Sequence, residues 1–294
     1  MAIELKNIFY SYEKTADRAA RVVLDGIDLT LSREDFTAVI GPTGSGKSTL
    51  VQHLNLLLRA VSGDILYDGE SIYAEDYDRK GLRSKVGLVF QYPEYQLFET
   101  DILSDVCFGP RNLGLPEEEV RERAVKALEA VGFSDDDHTR SPFDLSGGQK
   151  RRVAIAGILA MQPEFLILDE PAAGLDPQGR REMLDLVRGL HDSRGTGIVL
   201  VSHSMDDVAG YADRIVALYG GRVVMDGTPR EIFSQRDKLE EIGLSVPQAT
   251  QVADELRKAG MDIPKGLITV DEVAEAILGY MKSHGGSAGR NRQC

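Results

Sequence analysis

The chain has 294 residues, 42% of them hydrophobic and 28% charged, which is ordinary for a globular protein with a substantial core. Its 34 lysines and arginines against 47 aspartates and glutamates give a net charge of −13, which disfavours duplex nucleic acid and anionic lipid, because phosphate contacts need clustered cations. No apolar run approaches the roughly 20 residues of a membrane span, the N-terminal stretch lacks a signal-peptide core, and the two cysteines, Cys107 and Cys294, have no metal-binding spacing. These features predict a cytoplasmic chain with reduced thiols, and any membrane role must come through a partner.

Ile3–Tyr12, Ile27–Leu31 and Ile65–Ile72 read as antiparallel strands with turns at Asp25-Gly26 and Asp68-Gly69. Thr37–Ile40, Val86–Phe90, Phe165–Leu168, Ile198–Ser202 and Ile215–Tyr219 are short runs of a different kind, almost wholly apolar. That composition marks strands buried on both faces of a parallel sheet. Between Pro93 and about Met161 the period turns helical. Val120, Ala124, Ala127, Leu128 and Val131 share one face of a helix that Pro116 opens and Gly132 closes. After Met225–Pro229 the composition shifts to amphipathic helices, and Thr269 with Glu272 forms a capping box. The expected organisation is a main domain over 1–228 with a helical subdomain at about 93–161. A small C-terminal domain follows over 229–282, then a disordered tail over 283–294.

"GPTGSGKST", Gly41 to Thr49, matches G-x-x-x-x-G-K-[ST] between a strand and a helix. Gly41, Gly44 and Gly46 let the turn that also holds Pro42, Thr43 and Ser45 aim its backbone N–H groups, Pro42 having none, toward phosphate oxygens, and the helix start adds partial positive charge. Lys47 is expected to reach the β- and γ-phosphates, and Ser48 to ligate Mg²⁺. "FLILDEP", Phe165 to Pro171, ends an apolar strand in two carboxylates. Asp169 suits Mg²⁺, and Glu170 suits the base that activates water. His203 follows another apolar strand and suits a γ-phosphate contact.

"LSGGQ" supplies a second anion site: Ser146, Gly147, Gly148 and Gln149 open a helix with free backbone N–H groups. Two such devices serve one nucleotide only if they face each other. The simplest arrangement is two copies head to tail, with ATP between them.

With these motifs in this order, the sequence resembles the ATP-binding-cassette (ABC) ATPases over roughly residues 3–227. The resemblance implies an α/β fold: a P-loop NTPase core with an antiparallel β subdomain and an inserted α-helical subdomain, extended here by a small, mainly helical C-terminal domain. It implies ATP and Mg²⁺ as cofactors. It makes Tyr12 the aromatic that stacks on adenine, Gln91 the Q-loop residue that senses Mg²⁺ and the attacking water, and Asp176 of "GLD" a residue that acts across the dimer together with Ser146–Gln149. Ala172 departs from the Thr or Ser common after "DEP", without touching a catalytic role.

"QYPEYQLFE", "DVCFGPRNLGL" and the C-terminal helices resemble more narrowly the ATPases of energy-coupling factor importers, of the cobalt-transport ATPase (CbiO) type, to about residue 282. This implies a homodimer or a heterodimer with a related ATPase, held together partly by the C-terminal domain. The pair docks at the cytoplasmic face of the cell membrane as a peripheral subunit. Its partners are an integral membrane coupling protein and a separate substrate-binding membrane subunit that carries cobalt, nickel or a vitamin. Tyr92, Glu94, Tyr95, Phe98 and Glu99 are expected to wall the groove that receives the coupling protein, and Phe90 to pack internally. A DNA-acting ABC ATPase fits less well, since only about a hundred residues separate the two nucleotide motifs, with no sustained heptads. A ribosome-acting one would carry two cassettes, and this chain has one.

Overall fold

The computed structural model describes residues 1–12 and 21–284. The chain opens with β1 (Ala2–Tyr12) and β2 (Arg21–Ser32), paired antiparallel. β3 (Phe36–Ile40), buried at every position, leads through the glycine-rich turn into α1 (Lys47–Leu54). β4 (Ser62–Tyr67) returns to pair with β1, and β5 (Glu70–Ser71) pairs with β4 across a turn in which Asp68 and Gly69 both have positive φ. That pair of conformations is what a tight hairpin needs, so the turn sits where the sequence puts it.

The turn expected at Asp25-Gly26 does not form. β2 runs straight through it, and Gly26, at φ +68°, sits at a register shift where Ile8 faces Ile27 while Phe9 faces Asp25. It is a bulge glycine in a continuous strand, and a bulge and a turn share the same local signal of a glycine at positive φ.

α2 (Arg79–Lys85) and β6 (Val86–Val89) precede the helical insertion: α3 (Ile102–Leu113), α4 (Glu117–Ala130) and α5 (Gly147–Leu159). Asp101 caps α3 by accepting from Ser104 N at 2.8 Å, and α4 buries the predicted face, with Val120, Ala124 and Leu128 fully enclosed. β7 (Phe165–Asp169), α6 (Pro177–Arg194), β8 (Gly197–Val201), α7 (Met205–Tyr211), β9 (Arg214–Tyr219) and β10 (Arg222–Gly227) complete the main sheet, whose order is β10-β9-β3-β8-β7-β6. All pairs are parallel except β10–β9.

Alternate residues of each parallel strand enter different cores, which explains their unbroken apolarity. In β7, Phe165 and Ile167 pack with the antiparallel sheet and α1, while Leu166 and Leu168 pack with α3–α6. Phe90 packs against the first of these cores, as expected of an internal residue.

α8 (Pro229–Phe233) starts on a capping box between Thr228 and Glu231, followed by α9 (Arg236–Glu241), α10 (Gln248–Lys258) and α11 (Val270–His284). Ile232, Phe233, Leu239 and Val246 pack on Ala38, Ile40, Ile215 and Ala217 of the main sheet, whereas Ala249, Ala253, Ile263 and Val273 form a small core of their own. Glu272 accepts from the backbone N–H groups of Ile268 and Thr269, the capping contact expected ahead of α11. Ser283 and His284, expected in the tail, instead close α11, and the Ser283 hydroxyl donates to Tyr280 O. The rest of that segment, Cys294 included, lies outside the described residues. Among the described residues no helix is long and apolar enough to cross a membrane.

Phe165 is wholly buried between β6–β8 and Tyr67. Phe165→Ala is expected to cost about 3–5 kcal/mol, measured as a lower denaturant midpoint.

Candidate functional site

Parallel pairing brings four strand ends together. Val39 faces Val201, Leu168 faces Leu200, and Val89 faces Leu168. The residues just past those ends, Gly41–Thr49, Gln91, Asp169–Glu170 and His203, are therefore carried to one edge of the sheet. Ligands of open α/β sheets bind at this carboxyl edge.

At the glycine-rich turn the geometry leaves no room for side chains. Gly41 has φ +153°, and a Cβ there would lie 2.3 Å from Leu218 O and 2.6 Å from Ser45 Oγ. Gly46 adopts φ +107° directly before α1, against the carbonyl of Val23. Lys47 is 6% exposed, and its Nζ donates to Gly41 O at 2.8 Å and Pro42 O at 3.1 Å, folding the ammonium over the turn. Burial pushes its pKa below the ordinary lysine value, opposed by the charges of Glu170 and Asp169. Thr43, Gly44 and Ser48 are exposed, so the turn's outer surface is accessible.

Ser48 lies beside Asp169 and pulls its carboxyl toward the ionised form, so the two groups expected to hold Mg²⁺ are neighbours. Burial raises the Asp169 pKa above its ordinary value, against the opposing pull of Ser48, Lys47 and His203. Among the described residues no group of three or more His, Cys, Asp and Glu side chains could hold a metal. A cation at Ser48–Asp169 would thus complete its shell with phosphate oxygens and water, which is the habit of Mg²⁺. Glu170 Oε1 lies 2.6 Å from His203 Nε2, and Glu170 itself has φ +53°, a left-handed conformation uncommon for a non-glycine residue. Gln91 is exposed two residues past β6.

Tyr12 ends β1 beside α1. Its hydroxyl is 3.3 Å from Thr49 Oγ1, its ring meets Tyr10 edge-on at 5.1 Å, and it is half exposed. Ser146 caps α5 in a capping box, exchanging bonds with Gln149 at 3.0 and 3.3 Å, and Ser146 and Gly147 are exposed. The Asp176 carboxylate caps α6 by accepting from Gly179 N at 2.7 Å.

The groove residues divide. Phe98 lines an apolar cavity of about 560 Å³ between α3, α5 and the residues after β6, together with Leu97, Phe108, Val153, Ile158 and Met161. Phe98 and Phe108 meet edge-on at 5.0 Å, and the backbone N–H groups of Phe98 and Glu99 are held by buried Asp105 at 3.0 and 2.9 Å. Tyr92, Glu94, Tyr95 and Glu99 do not line this cavity. Tyr95 stands 84% exposed, while Glu94 is turned inward and bound through both carboxylate oxygens to Arg151, at 2.8 and 3.1 Å. Glu94 therefore has an internal partner, where the sequence placed it on the wall of the groove.

Phe108 and Arg151 were not anticipated. Arg151 had a signal: with Ile155 and Leu159 it falls on the four-residue spacing of α5's buried face, and a cation there requires a buried carboxylate.

A glycine-rich phosphate turn, an acid pair at the next strand's end, and a capped "LSGGQ" turn leading an inserted helical layer define an ABC-type ATPase. The family model described as ABC transporter matches residues 24–173. The energy-coupling factor transporter ATP-binding protein EcfA2 of Caldanaerobacter subterraneus subsp. tengcongensis is 50% identical over 282 residues, covering 96% of this chain and 98% of the relative. The protein described in the same words from Symbiobacterium thermophilum is 58% identical over 231 residues, covering 79% of this chain and 80% of the relative. Among solved structures, cbiO1 of Clostridium perfringens, described as part of the ABC transporter complex cbiONQ, superposes with a TM-score of 0.71 at 38% identity, covering 82% of this chain and 93% of that one. A dimeric post-hydrolysis state of the ATP-binding cassette MJ0796, bound to ADP and Pi, gives 0.68 at 27% identity, covering 77% and 98%. The chain belongs to the ABC transporter ATP-binding proteins, in the energy-coupling factor group. It is an ATP-binding transporter subunit whose ATP hydrolysis is coupled to transport.

Gly41→Ala is expected to strain the turn against β9 and weaken ATP binding at least about tenfold, measured by titration with a fluorescent nucleotide.

Proposed function

We propose that the chain is the motor of an importer that carries a transition-metal ion such as cobalt or nickel, or a vitamin, through an integral membrane coupling protein and a separate substrate-binding subunit. It works at the cytoplasmic face as a pair, with a second copy or with a related ATPase. ATP lies between Gly41–Thr49 of one protomer and Ser146–Gln149 and Asp176 of the other. Both are backbone turns that open helices, and both present accessible N–H groups to an anion. The apolar side chains of α10 and α11 left exposed, among them Val252, Leu278 and Met281, suit the C-terminal segment 229–282 to holding the pair together.

Tyr12 supplies a face for adenine, and Lys47 exchanges its two carbonyl partners for phosphate oxygens in charge-assisted bonds. Ser48 and Asp169, with Gln91, would hold Mg²⁺, which when bound neutralises charge developing on the phosphates. Glu170 takes a proton from the water that attacks the terminal phosphate, releasing ADP and phosphate. His203 orients that carboxylate and reaches toward the γ-phosphate. The observation that carries this reading is the 2.6 Å Glu170–His203 pair next to the Ser48–Asp169 pair. One carboxylate is committed to the cation site, and its neighbour stands ready to accept a proton. Glu170→Gln is expected to keep ATP affinity while turnover falls at least about 100-fold, measured by phosphate release. Near-normal turnover would remove Glu170 from the base role.

The apolar cavity beside Phe98 suits a helix of the coupling protein, with two aromatic rings as anchors that lose little side-chain freedom. Tyr92, Tyr95 and Glu99 stand outside its lining. Phe98→Ala combined with Phe108→Ala is expected to leave ATP binding intact and abolish copurification with the membrane subunits. Intact assembly would rule the cavity out as the dock.

A further inference from the structure

Arg151 is the most heavily bonded buried cation of the described residues. It lies on the signature helix α5, 3% exposed. Its guanidinium reaches two segments of chain. Nε and Nη2 donate to Glu94 at 3.1 and 2.8 Å, Nη1 donates to Pro171 O and Ala173 O at 2.8 Å each, and the group lies 5.9 Å from the centre of the Tyr92 ring. Burial pushes the Glu94 pKa up, but the Arg151 hydrogen bonds, a backbone N–H and the Arg151 charge together hold it below the ordinary value. The pair is therefore ionised and tightly matched.

The segments it joins share a feature. Tyr92, after β6, and Glu170, after β7, are both non-glycine residues in the left-handed region, at φ +57° and +53°. Such conformations persist only where the surroundings over-determine them. Arg151 holds the chain directly downstream of each. Pro171 follows Glu170, and the Ala173 N–H in turn donates to Glu170 O at 3.1 Å. On the other side, Glu94 belongs to the turn that leads to Phe98 at the cavity.

We propose that Arg151 is a positioning residue that couples the docking segment to the catalytic glutamate: through Glu94 it feels the position of the Tyr92–Phe98 segment, and through the Pro171 and Ala173 carbonyls it sets the backbone of Glu170. A movement of the docked segment displaces Glu94, and the rigid guanidinium passes that displacement to the loop behind Glu170. Lysine cannot replace it, because one ammonium has neither the planar fork that grips both carboxylate oxygens nor the reach to two carbonyls at once. The position on α5 also links both segments to the signature turn that opens the same helix.

This inference rests on the roles proposed above for Glu170 and the Phe98 cavity. The test compares Glu94→Gln, Arg151→Lys and the double variant with the wild type, as full chains in the assembled transporter, with Glu170→Gln as control. Glu94→Gln keeps the shape and one acceptor, so it tests the link even if an Arg151 variant misfolds. The expected result is assembly and ATP affinity within about twofold of wild type, kcat about fivefold lower for Glu94→Gln and about tenfold lower for Arg151→Lys. The double variant should be no slower than the slower single, because the residues act as one unit. The inference is overturned by kcat within twofold of wild type in both single variants, by losses that multiply in the double variant, by ATP affinity falling in step with kcat, or by loss of assembly. If Glu170→Gln itself turns over normally, the failure lies with the assignment of the base.

Discussion

Burial of the parallel strands on both faces is the constraint from which the rest follows. Strands β3, β7 and β8 have no solvent-facing side, so apart from Thr37 polar groups are kept out of their length and appear where the strands end. Parallel register then brings those ends to one edge. The glycine-rich turn, Asp169, Glu170 and His203 meet because each lies at or just past the end of a fully buried strand. The chemistry is concentrated at the edge because the interior cannot hold it.

A chain of net charge −13 that binds a polyanionic nucleotide must do so with local devices. The devices proposed above are backbone N–H groups at helix starts, one lysine and a cation site. None of them depends on the sign of the overall charge, since backbone dipoles and a folded-over ammonium act within a few ångströms. The overall acidity bears on solubility and on which surfaces the protein avoids. Buried charge is used sparingly, and Arg151 is held by one carboxylate, two carbonyls and a ring. Breaking such a pair by removing one member typically costs about 3–5 kcal/mol, which is why it makes a stiff joint.

Much of the fold was legible, and the reasons are specific. The five apolar strands of the main sheet, the α4 face and the Thr269–Glu272 cap are each specified by neighbours within one turn or one strand. Asp25-Gly26 misled because a bulge and a hairpin need the same glycine, and only pairing with β1 distinguishes them. Tyr92 to Glu99, after β6, reads in the sequence as one wall. It divides, with Phe98 in the cavity, Tyr95 in solvent and Glu94 turned onto Arg151, while Phe90 packs in the core as expected. A short 3₁₀ turn at Pro93–Gln96 reorients successive side chains, and neither a period of 2 nor of 3.6 describes it.

The sequence by itself determined the class of chemistry. The phosphate-binding and water-activating roles proposed above fall on contiguous motifs whose geometry follows from glycine conformations and strand ends, so a linear pattern suffices to pick them out. Tertiary structure alone decided the connections: Glu94 to Arg151 across 57 residues, Arg151 to Pro171 and Ala173 across about twenty, and Phe98 to Phe108 across a cavity. Those contacts join segments whose separation along the chain carries no periodic signal. What joins them is the need of a buried guanidinium to satisfy every N–H it has, and only the packed fold shows which groups are within its reach.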